Sequence, residues 1–289
     1  MASDPIPALE SLGYTEREAA FLYLVAVHSG YFLRRQFDYF VNRNKGSIVM
    51  RFLEKARNRG HIQLLDTEHR RQTYHLFYKP IYRLVGKPDS QNRRVKSDTE
   101  VRARLMRLDY VLENDEEHYL ENEEAKLHYF TQTRGITPDL LSNSQGSLLS
   151  EIQTTLISLA DRTQTATTLV RFVFIDEGLL TVTKFQRMFT SMRELLRAAG
   201  NTEVIYVATS DHNFREAAAW FRKEVTNPEL QRQPFLDADW RNVSRHPFFP
   251  RSQFVPRFTT LLLRWNYPSL RRNERQGSQQ SSLSTRETT

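Results

Sequence analysis

Apolar residues recur at three- and four-residue spacing in three successive segments near the start of the chain, and this spacing predicts three amphipathic helices. The first opens with the capping box Thr15-Glu-Arg-Glu and closes at His28-Ser29-Gly30, where glycine tolerates the left-handed backbone of a helix end. The second covers residues 33–41, and the third covers residues 47–59 and stops at Gly60.

The period changes from helical to alternating directly after the third helix. Residues 61–66 and 71–77 alternate apolar and polar side chains around a polar turn, a pattern typical of a β-hairpin. Three helices followed by a two-stranded hairpin is the element order of a winged helix-turn-helix, whose third helix commonly enters the major groove of DNA. We therefore predict a winged-helix DNA-binding domain over residues 10–86.

A helical linker is predicted next. Residues 87–96 are polar and predict a connecting segment, after which the capping box Ser97-Asp-Thr-Glu opens a helix with an apolar stripe that reaches Leu112. Residues 115–130 predict a further, acidic helix. The helical linker therefore covers residues 97–132.

The rest of the chain alternates strands and helices. Residues 169–175 form a nearly continuous run of Val, Phe and Ile, as expected for a strand buried on both faces. A helix capped by Thr181 or Thr183 follows and ends at Gly200, and a strand, a helix and a third strand are predicted over residues 203–208, 213–225 and 259–265. This alternation implies right-handed crossovers and a small, mostly parallel sheet. The fold class is therefore α/β, or α+β for the whole chain, with an α/β domain over residues 150–270.

Composition excludes several classes of protein. Apolar residues make up 39% of the 289, yet 18 Phe, 12 Tyr and 3 Trp supply ample material for a core. The longest apolar run, residues 19–27, is less than half of the ~20 residues that a spanning helix needs, and the start lacks the pattern of a secretory signal, which predicts a cytoplasmic protein. The tail over residues 271–289 is rich in Ser, Gln and Arg and predicts disorder.

Motif composition argues against common catalytic chemistry. The chain has no cysteine, no glycine-rich phosphate loop and no serine nucleophile elbow, and its eight histidines contain no pair at the spacing of a helical zinc site. We therefore expect no cofactor and no metal.

Charge is distributed unevenly. Residues 34–96 contain sixteen Lys and Arg against five Asp and Glu, which indicates a polyanionic partner, and nucleic acid is the commonest one. Residues 109–124 contain eight acids and no Lys or Arg. This acidic stretch is either a solvated helical face or a segment that docks against the basic linker or tail and limits nonspecific DNA binding.

The predicted DNA-binding surface centres on the third helix. Ser47, Arg51 and Lys55 follow one another at four-residue spacing and share a face that has Glu54 as its single acid. The alternative is an ordinary solvated surface. Residues at the helix start favour phosphate, the hairpin tip acts as the wing, and the start of the second helix contacts the DNA backbone. The expected contacts are Arg34, Arg35, Arg43, Asn44, Lys45, Ser47, Arg51, Lys55, Arg70 and Arg71.

One motif offers catalytic chemistry. Asp176-Glu177-Gly178 ends a predicted buried strand, where carboxylates can hold a divalent metal for phosphodiester cleavage. Nucleases of the restriction-endonuclease-like type pair an Asp with a Glu-x-Lys sequence, but Glu177 is followed by Gly and Leu, and the nearest lysine is Lys184. We therefore expect no enzyme. A metal-dependent nuclease that uses Asp176 and Glu177 remains an alternative, as does a protein-interaction module built on the winged helix.

Several segments resemble the replication-relaxation family of bacterial plasmids and integrative elements. They are Tyr14-Thr-Glu-Arg-Glu, Leu53-Glu-Lys-Ala-Arg-Asn-Arg-Gly-His-Ile62, Tyr82-Arg-Leu-Val-Gly86, Arg104-Leu-Met-Arg-Leu-Asp-Tyr-Val-Leu112, Glu123-Glu-Ala-Lys126 and Tyr129-Phe130. The resemblance covers residues 10–130. It implies a winged helix joined to a degenerate nuclease-like α/β domain in which a strand ends in an acid and a glycine.

Phe172-Val-Phe-Ile-Asp-Glu-Gly178 is similar to that strand, with Phe174 where a first acid is expected. The resemblance therefore implies DNA binding without cleavage, in the replication, mobilisation or transcription control of a mobile element. We expect a sequence-specific double-stranded DNA-binding regulator. By analogy with winged-helix regulators we also expect a homodimer, formed through the helix that starts at Ser97.

Overall fold

The computed structural model describes residues 4–41, 46–65, 72–142, 147–160, 164–226, 238–239 and 259–266. Its first part contains strands β1 (Tyr31–Leu33), β2 (Ile62–Leu65) and β3 (Thr73–Leu76) and helices α1 (Pro5–Glu10), α2 (Glu16–His28), α3 (Arg34–Phe40), α4 (Gly46–Asn58) and α5 (Lys79–Leu84). The strands form an antiparallel sheet in the order β1-β3-β2. The three predicted helices and the hairpin strands are present, whereas α1, α5 and β1 were not predicted, because short runs of three to six residues carry no clear period.

Helix α2 begins as its sequence predicts. The Thr15 hydroxyl accepts from the Glu18 backbone N–H, and the Glu18 carboxylate accepts from the Thr15 backbone N–H at 2.8 Å. At the other end Gly30 has φ of +81°, and an added Cβ would lie 2.1 Å from the Asn92 carbonyl oxygen. Glycine is therefore required there both for the backbone angle and for the close approach of the chain.

Four phenylalanine rings form the centre of the first core. Phe21, Phe32, Phe37 and Phe52 are fully buried, and the Phe37 and Phe52 ring centroids lie 4.1 Å apart. Burial of each such side chain contributes about 1.5–3 kcal/mol. Because Phe52 belongs to α4, this cluster fixes which side of α4 faces solvent.

The predicted linker is packed rather than extended. Asn92 lies in a short 3-10 turn, and its side-chain amide donates to the Ala26 and Val27 carbonyls at 3.0 and 2.9 Å. Residues 97–100 then form the predicted capping box of helix α6 (Asp98–Glu113). The turn at Asn92 therefore attaches the start of α6 to the end of α2.

The second part of the chain contains a six-stranded sheet. Its strands are β4 (His118–Tyr119), β5 (Leu156–Leu159), β6 (Val170–Asp176), β7 (Asn201–Ala208), β8 (Ala238–Asp239) and β9 (Thr259–Asn266), in the order β4-β5-β6-β7-β9-β8. Its helices are α7 (Glu123–His128), α8 (Pro138–Ser142), α9 (Ser147–Thr154), α10 (Val182–Ala199) and α11 (Phe214–Thr226). A mixed α/β architecture is therefore present, while the predicted tail over residues 271–289 lies outside the described residues.

The expectation of a mostly parallel sheet is wrong. Among the described strands only β6 and β7 pair in parallel, across the crossover helix α10. The pairs β4–β5, β5–β6, β7–β9 and β8–β9 are antiparallel. Strand β5 was not predicted, and local patterning at β9 indicates a strand without indicating its direction.

The expectation of one acidic helix over residues 115–130 is also wrong. Strand β4 interrupts it, and α7 starts only after Asn122, whose side chain accepts from the Ala125 backbone N–H at 2.7 Å. Tyr119 is buried in this strand, and the neighbouring Glu117 is held by distant partners. Tertiary contacts therefore override the local helical composition.

Helix α6 packs between the two cores. Leu108 and Leu112 belong to the core around α2 and α4, whereas Met106, Tyr110 and Val111 pack against the face of the large sheet opposite α10. The helix that we expected to mediate dimerisation thus buries its apolar residues within a single chain.

A buried lysine holds the end of α9. The Lys126 ammonium donates to the backbone carbonyls of Ile152, Gln153 and Thr155 at 2.8, 3.2 and 2.8 Å, and its side chain is almost fully buried. Carbonyls at a helix C-terminus lack intrahelical partners, and these donors supply them. Burial, with smaller effects of the Arg107 and Lys87 charges, lowers the pKa of Lys126 to about 7. Lys126 therefore links α7 to α9.

We predict that Lys126→Met lowers the free energy of unfolding by about 1–3 kcal/mol, because three backbone carbonyls lose their hydrogen-bond donor. Urea denaturation monitored by circular dichroism measures the change. Lys184→Met, at an exposed position of α10, is the matched control and should leave the midpoint nearly unchanged. Equal midpoints for the two variants would contradict this role.

Candidate nucleic-acid interface

Helix α4 has one buried and one exposed side. Val49, Phe52, Leu53 and Ala56 are buried in the first core. On the opposite side the exposed residues are Ser47, Met50, Arg51, Glu54, Arg57 and Asn58. Of the three residues predicted to share an exposed face of this helix, Ser47 and Arg51 are exposed, whereas Lys55 is half-buried.

Arg51 is oriented by its own helix. Its Nε–H donates to the Ser47 carbonyl oxygen at 3.3 Å, and no ion pair with a carboxylate occurs for it among the described residues. A guanidinium held at Nε keeps its two terminal nitrogens available for an external acceptor. Arg51 thus carries a directed positive charge on the exposed face.

Lys55, which we expected to contact DNA, is paired within the protein. Its ammonium forms an ion pair with Glu18 at 2.6 Å and lies 5.6 Å from the centre of the Tyr14 ring. Helical geometry places Lys55 at the edge of the exposed face, within reach of α2. In this structure its charge is neutralised inside the protein.

The two arginines at the start of α3 behave differently. Arg34 is exposed, as a backbone contact requires. Arg35 instead donates through both terminal nitrogens to Asp109 of α6 at 2.8 and 2.5 Å. A bidentate bond to a buried carboxylate holds Arg35 in the protein, so its assignment to a DNA phosphate is wrong for this conformation.

Five predicted contacts cannot be placed on this surface. Arg43, Asn44, Lys45, Arg70 and Arg71 lie outside the described residues. Of the remaining predicted contacts, Ser47 and Arg51 share the exposed face of α4, and Arg34 is exposed at the start of α3.

Sequence reasoning missed three exposed residues of this region. Met50 is 41% exposed on α4, and Arg57 is exposed near its end. Arg59 follows the helix and lies 5.4 Å from the centre of the Tyr14 ring. Helical spacing from Ser47 places Met50 on the exposed side of α4.

A buried aromatic pair supports the end of α4. The Tyr14 hydroxyl lies 2.7 Å from His61 Nδ1, and the His61 ring stacks on Tyr78 at 4.3 Å. Burial, with a smaller effect of the Arg59 charge, lowers the pKa of His61. The imidazole is therefore neutral at physiological pH and does not add to the basic surface.

The acidic stretch provides internal counter-charges. Glu117 is buried, forms an ion pair with Arg171 and accepts from the Ser158 hydroxyl at 2.5 Å. Glu121 accepts from the Tyr23 hydroxyl at 2.6 Å and lies 4.0 Å from the Lys87 ammonium. Lys87 belongs to the predicted linker, so the stretch does contact the linker. A contact with the tail lies outside the described residues.

Both carboxylate oxygens of Asp176 accept hydrogen bonds. Its Oδ1 accepts from the backbone N–H groups of Gly178 and Leu180 at 2.8 and 3.1 Å. Its Oδ2 accepts from the Tyr206 hydroxyl at 2.8 Å and from the Asn213 amide at 3.3 Å. Burial and the bond to Asp176 raise the pKa of Tyr206, which keeps this hydroxyl a donor. The carboxylate thus holds the turn after β6.

We predict that Asp176→Asn destabilises the protein by about 1–3 kcal/mol, because an amide offers one acceptor oxygen where two are used. Thermal unfolding measures the loss. Asp211→Asn, at an exposed position after β7, is the control and should unfold like the parent protein. An Asp176→Asn variant as stable as the parent would show that these four hydrogen bonds do not stabilise the fold.

The α3–α6 contact contains a titratable group. Burial, assisted by the charge of Asp109 and opposed by that of Arg35, raises the pKa of Glu113 from 4.5 to about 7. Its Oε1 is buried and has no hydrogen-bond partner among the described residues. The folded protein therefore binds a proton at this position more tightly than the unfolded chain does.

We predict that this group makes the free energy of unfolding fall as pH rises from about 4.5 to about 7. Glu113→Gln removes the titration and should be about 1–2 kcal/mol more stable than the parent above pH ~7.5, with a smaller gain near pH ~5. Urea denaturation at the two pH values measures this. Glu116→Gln, at an exposed position, serves as control, and a gain independent of pH would refute the assignment.

Within the described residues no helix is long and apolar enough to cross a membrane, and no group of three or more His, Cys, Asp or Glu is placed to hold a metal ion. No protein-family model, no curated protein and no solved structure matches this chain.

Proposed function

We propose that this chain is a sequence-specific double-stranded DNA-binding protein that uses α4 as its recognition helix. The observation that carries the proposal is the exposed face of α4. There Arg51 is directed outward beside Ser47, while four buried residues fix the opposite side of the helix. A rigid helix with outward donors is what readout of a DNA groove requires.

The topology around α4 supports a winged helix. The element order α2-β1-α3-α4-β2-β3 and the sheet order β1-β3-β2 correspond to a helix-turn-helix followed by a β-hairpin wing. In this arrangement α3 crosses the DNA backbone and α4 enters the major groove. Arg34, at the exposed start of α3, would contact a phosphate.

The internal ion pairs narrow the proposed contact surface. Lys55 and Arg35 are neutralised by Glu18 and Asp109, so they serve to position α4 and α3. DNA binding then depends on Arg51, Arg34 and the surrounding basic charge of the N-terminal third.

The biological role rests on the family resemblance. We propose a cytoplasmic bacterial regulator of the transcription, replication or mobilisation of a mobile element, acting as a homodimer. Because the apolar residues of α6 are buried within the chain, a dimer would form through another surface.

A metal-dependent nuclease is the weaker candidate. All four hydrogen bonds to Asp176 would have to be rearranged before its oxygens could bind a cation. Nicking of supercoiled plasmid with magnesium or manganese that disappears in Asp176→Asn would favour the nuclease.

We predict that Arg51→Ala weakens binding to a selected duplex by about five- to 150-fold, which corresponds to about 1–3 kcal/mol for a lost base contact. Fluorescence anisotropy with the full chain at low salt measures the affinity. Arg187→Ala, which removes an exposed arginine from α10, is the control and should bind like the parent. Failure of the parent protein to bind any duplex would overturn the proposed function.

A further inference from the structure

We infer that α4 reads two neighbouring G·C base pairs, with Arg51 contacting a guanine and Glu54 contacting the cytosine of the adjacent pair. The inference rests on the proposed function and adds the kind of sequence that is bound. It is carried by the chemistry and the spacing of the exposed side chains of α4.

The exposed face of α4 differs from a phosphate-binding face. At 3.6 residues per turn, Ser47, Arg51, Glu54 and Asn58 fall within one narrow stripe, and all four are exposed. A stripe that contacted only phosphates would be uniformly basic. The carboxylate in its middle would be repelled by phosphates, but it would be accommodated above the floor of the groove, where base edges present donors.

No contact within the described part of the protein accounts for the charge of Glu54. It is exposed on α4, and no ion pair or hydrogen bond of its side chain occurs among the described residues. The other acid near this helix, Glu18, is nearly buried and neutralises Lys55. The two acids therefore have different roles, because Glu18 faces the protein and Glu54 faces solvent.

Each side chain matches one base. A guanidinium donates two parallel bonds to guanine O6 and N7, and Arg51 keeps both terminal nitrogens available because its Nε bonds to Ser47. A carboxylate accepts from the cytosine N4 amino group, which is the donor that this base presents in the major groove. Thus Arg51 selects guanine and Glu54 selects cytosine.

The spacing of the two residues fits neighbouring base pairs. Three residues of α-helix rise about 4.5 Å and one step of a DNA strand is ~3.4 Å, so Arg51 and Glu54 are offset by roughly one base pair when α4 lies along the groove. Met50 lies one helical turn before Glu54 and is 41% exposed, which suits contact with a thymine methyl group at the flank. The expected site therefore contains two adjacent G·C pairs with a thymine beside them.

Selection from a randomised duplex library tests the inference, using the full chain as parent, Glu54→Gln and Glu16→Gln. The parent should enrich adjacent G·C pairs. Glu54→Gln should lose the cytosine preference at one position by about five- to 100-fold and move towards adenine, which glutamine contacts through N6 and N7. Glu16→Gln removes another exposed acid, on α2, and should keep the parental motif.

The outcomes separate the two proposals. A parent that binds duplex without base preference overturns the inference and leaves DNA binding in place. A Glu54→Gln variant that binds every sequence more tightly and keeps the parental motif also overturns it, because Glu54 would then act only by repelling phosphates. Absence of duplex binding by the parent overturns the proposed function itself.

Discussion

One buried carboxylate determines how the helices around α4 are arranged. Asp109 of α6 accepts from both terminal nitrogens of Arg35 and from the Gln36 amide at 2.7 Å. Gln36 also donates to the Leu105 carbonyl at 2.9 Å. A buried carboxylate without such donors would be strongly unfavourable, so α3 is fixed on α6. Because α4 packs on α3 through the Phe37–Phe52 contact, its exposed face is fixed as well.

Local features of the sequence predicted the local features of the fold. The capping boxes at Thr15 and Ser97, the helical periods of α4 and α10, and the apolar run of β6 all act within a few residues, so pattern alone identified these elements. Sheet direction and the partners of buried charges depend on contacts between distant residues. The Arg35–Asp109 and Lys55–Glu18 pairs join residues 74 and 37 positions apart, and no local pattern indicates them.

The count of basic residues therefore identified the candidate surface but not which of its charges are exposed. The basic segment was identified correctly as a feature of composition, but its individual charges divide into those bound inside the protein and those exposed. Ser47 and Arg51 could be predicted because helical spacing places them opposite Val49 and Phe52. The exposure of Met50 is known only from the structure, which also shows no ion pair of Glu54 among the described residues. The proposed selectivity thus rests on Arg51 together with an acidic and an apolar residue, Glu54 and Met50, within a surface first recognised by its basic charge.

Helix α6 supplies side chains to two cores, with Leu108 and Leu112 on one side and Met106, Tyr110 and Val111 on the other. Substitutions on opposite sides of this helix therefore affect different cores. Recombination that exchanged either half of the protein with a homologue would have to preserve both interfaces of α6. We expect the two halves to be inherited together, and α6 to change more slowly during evolution than the exposed face of α4.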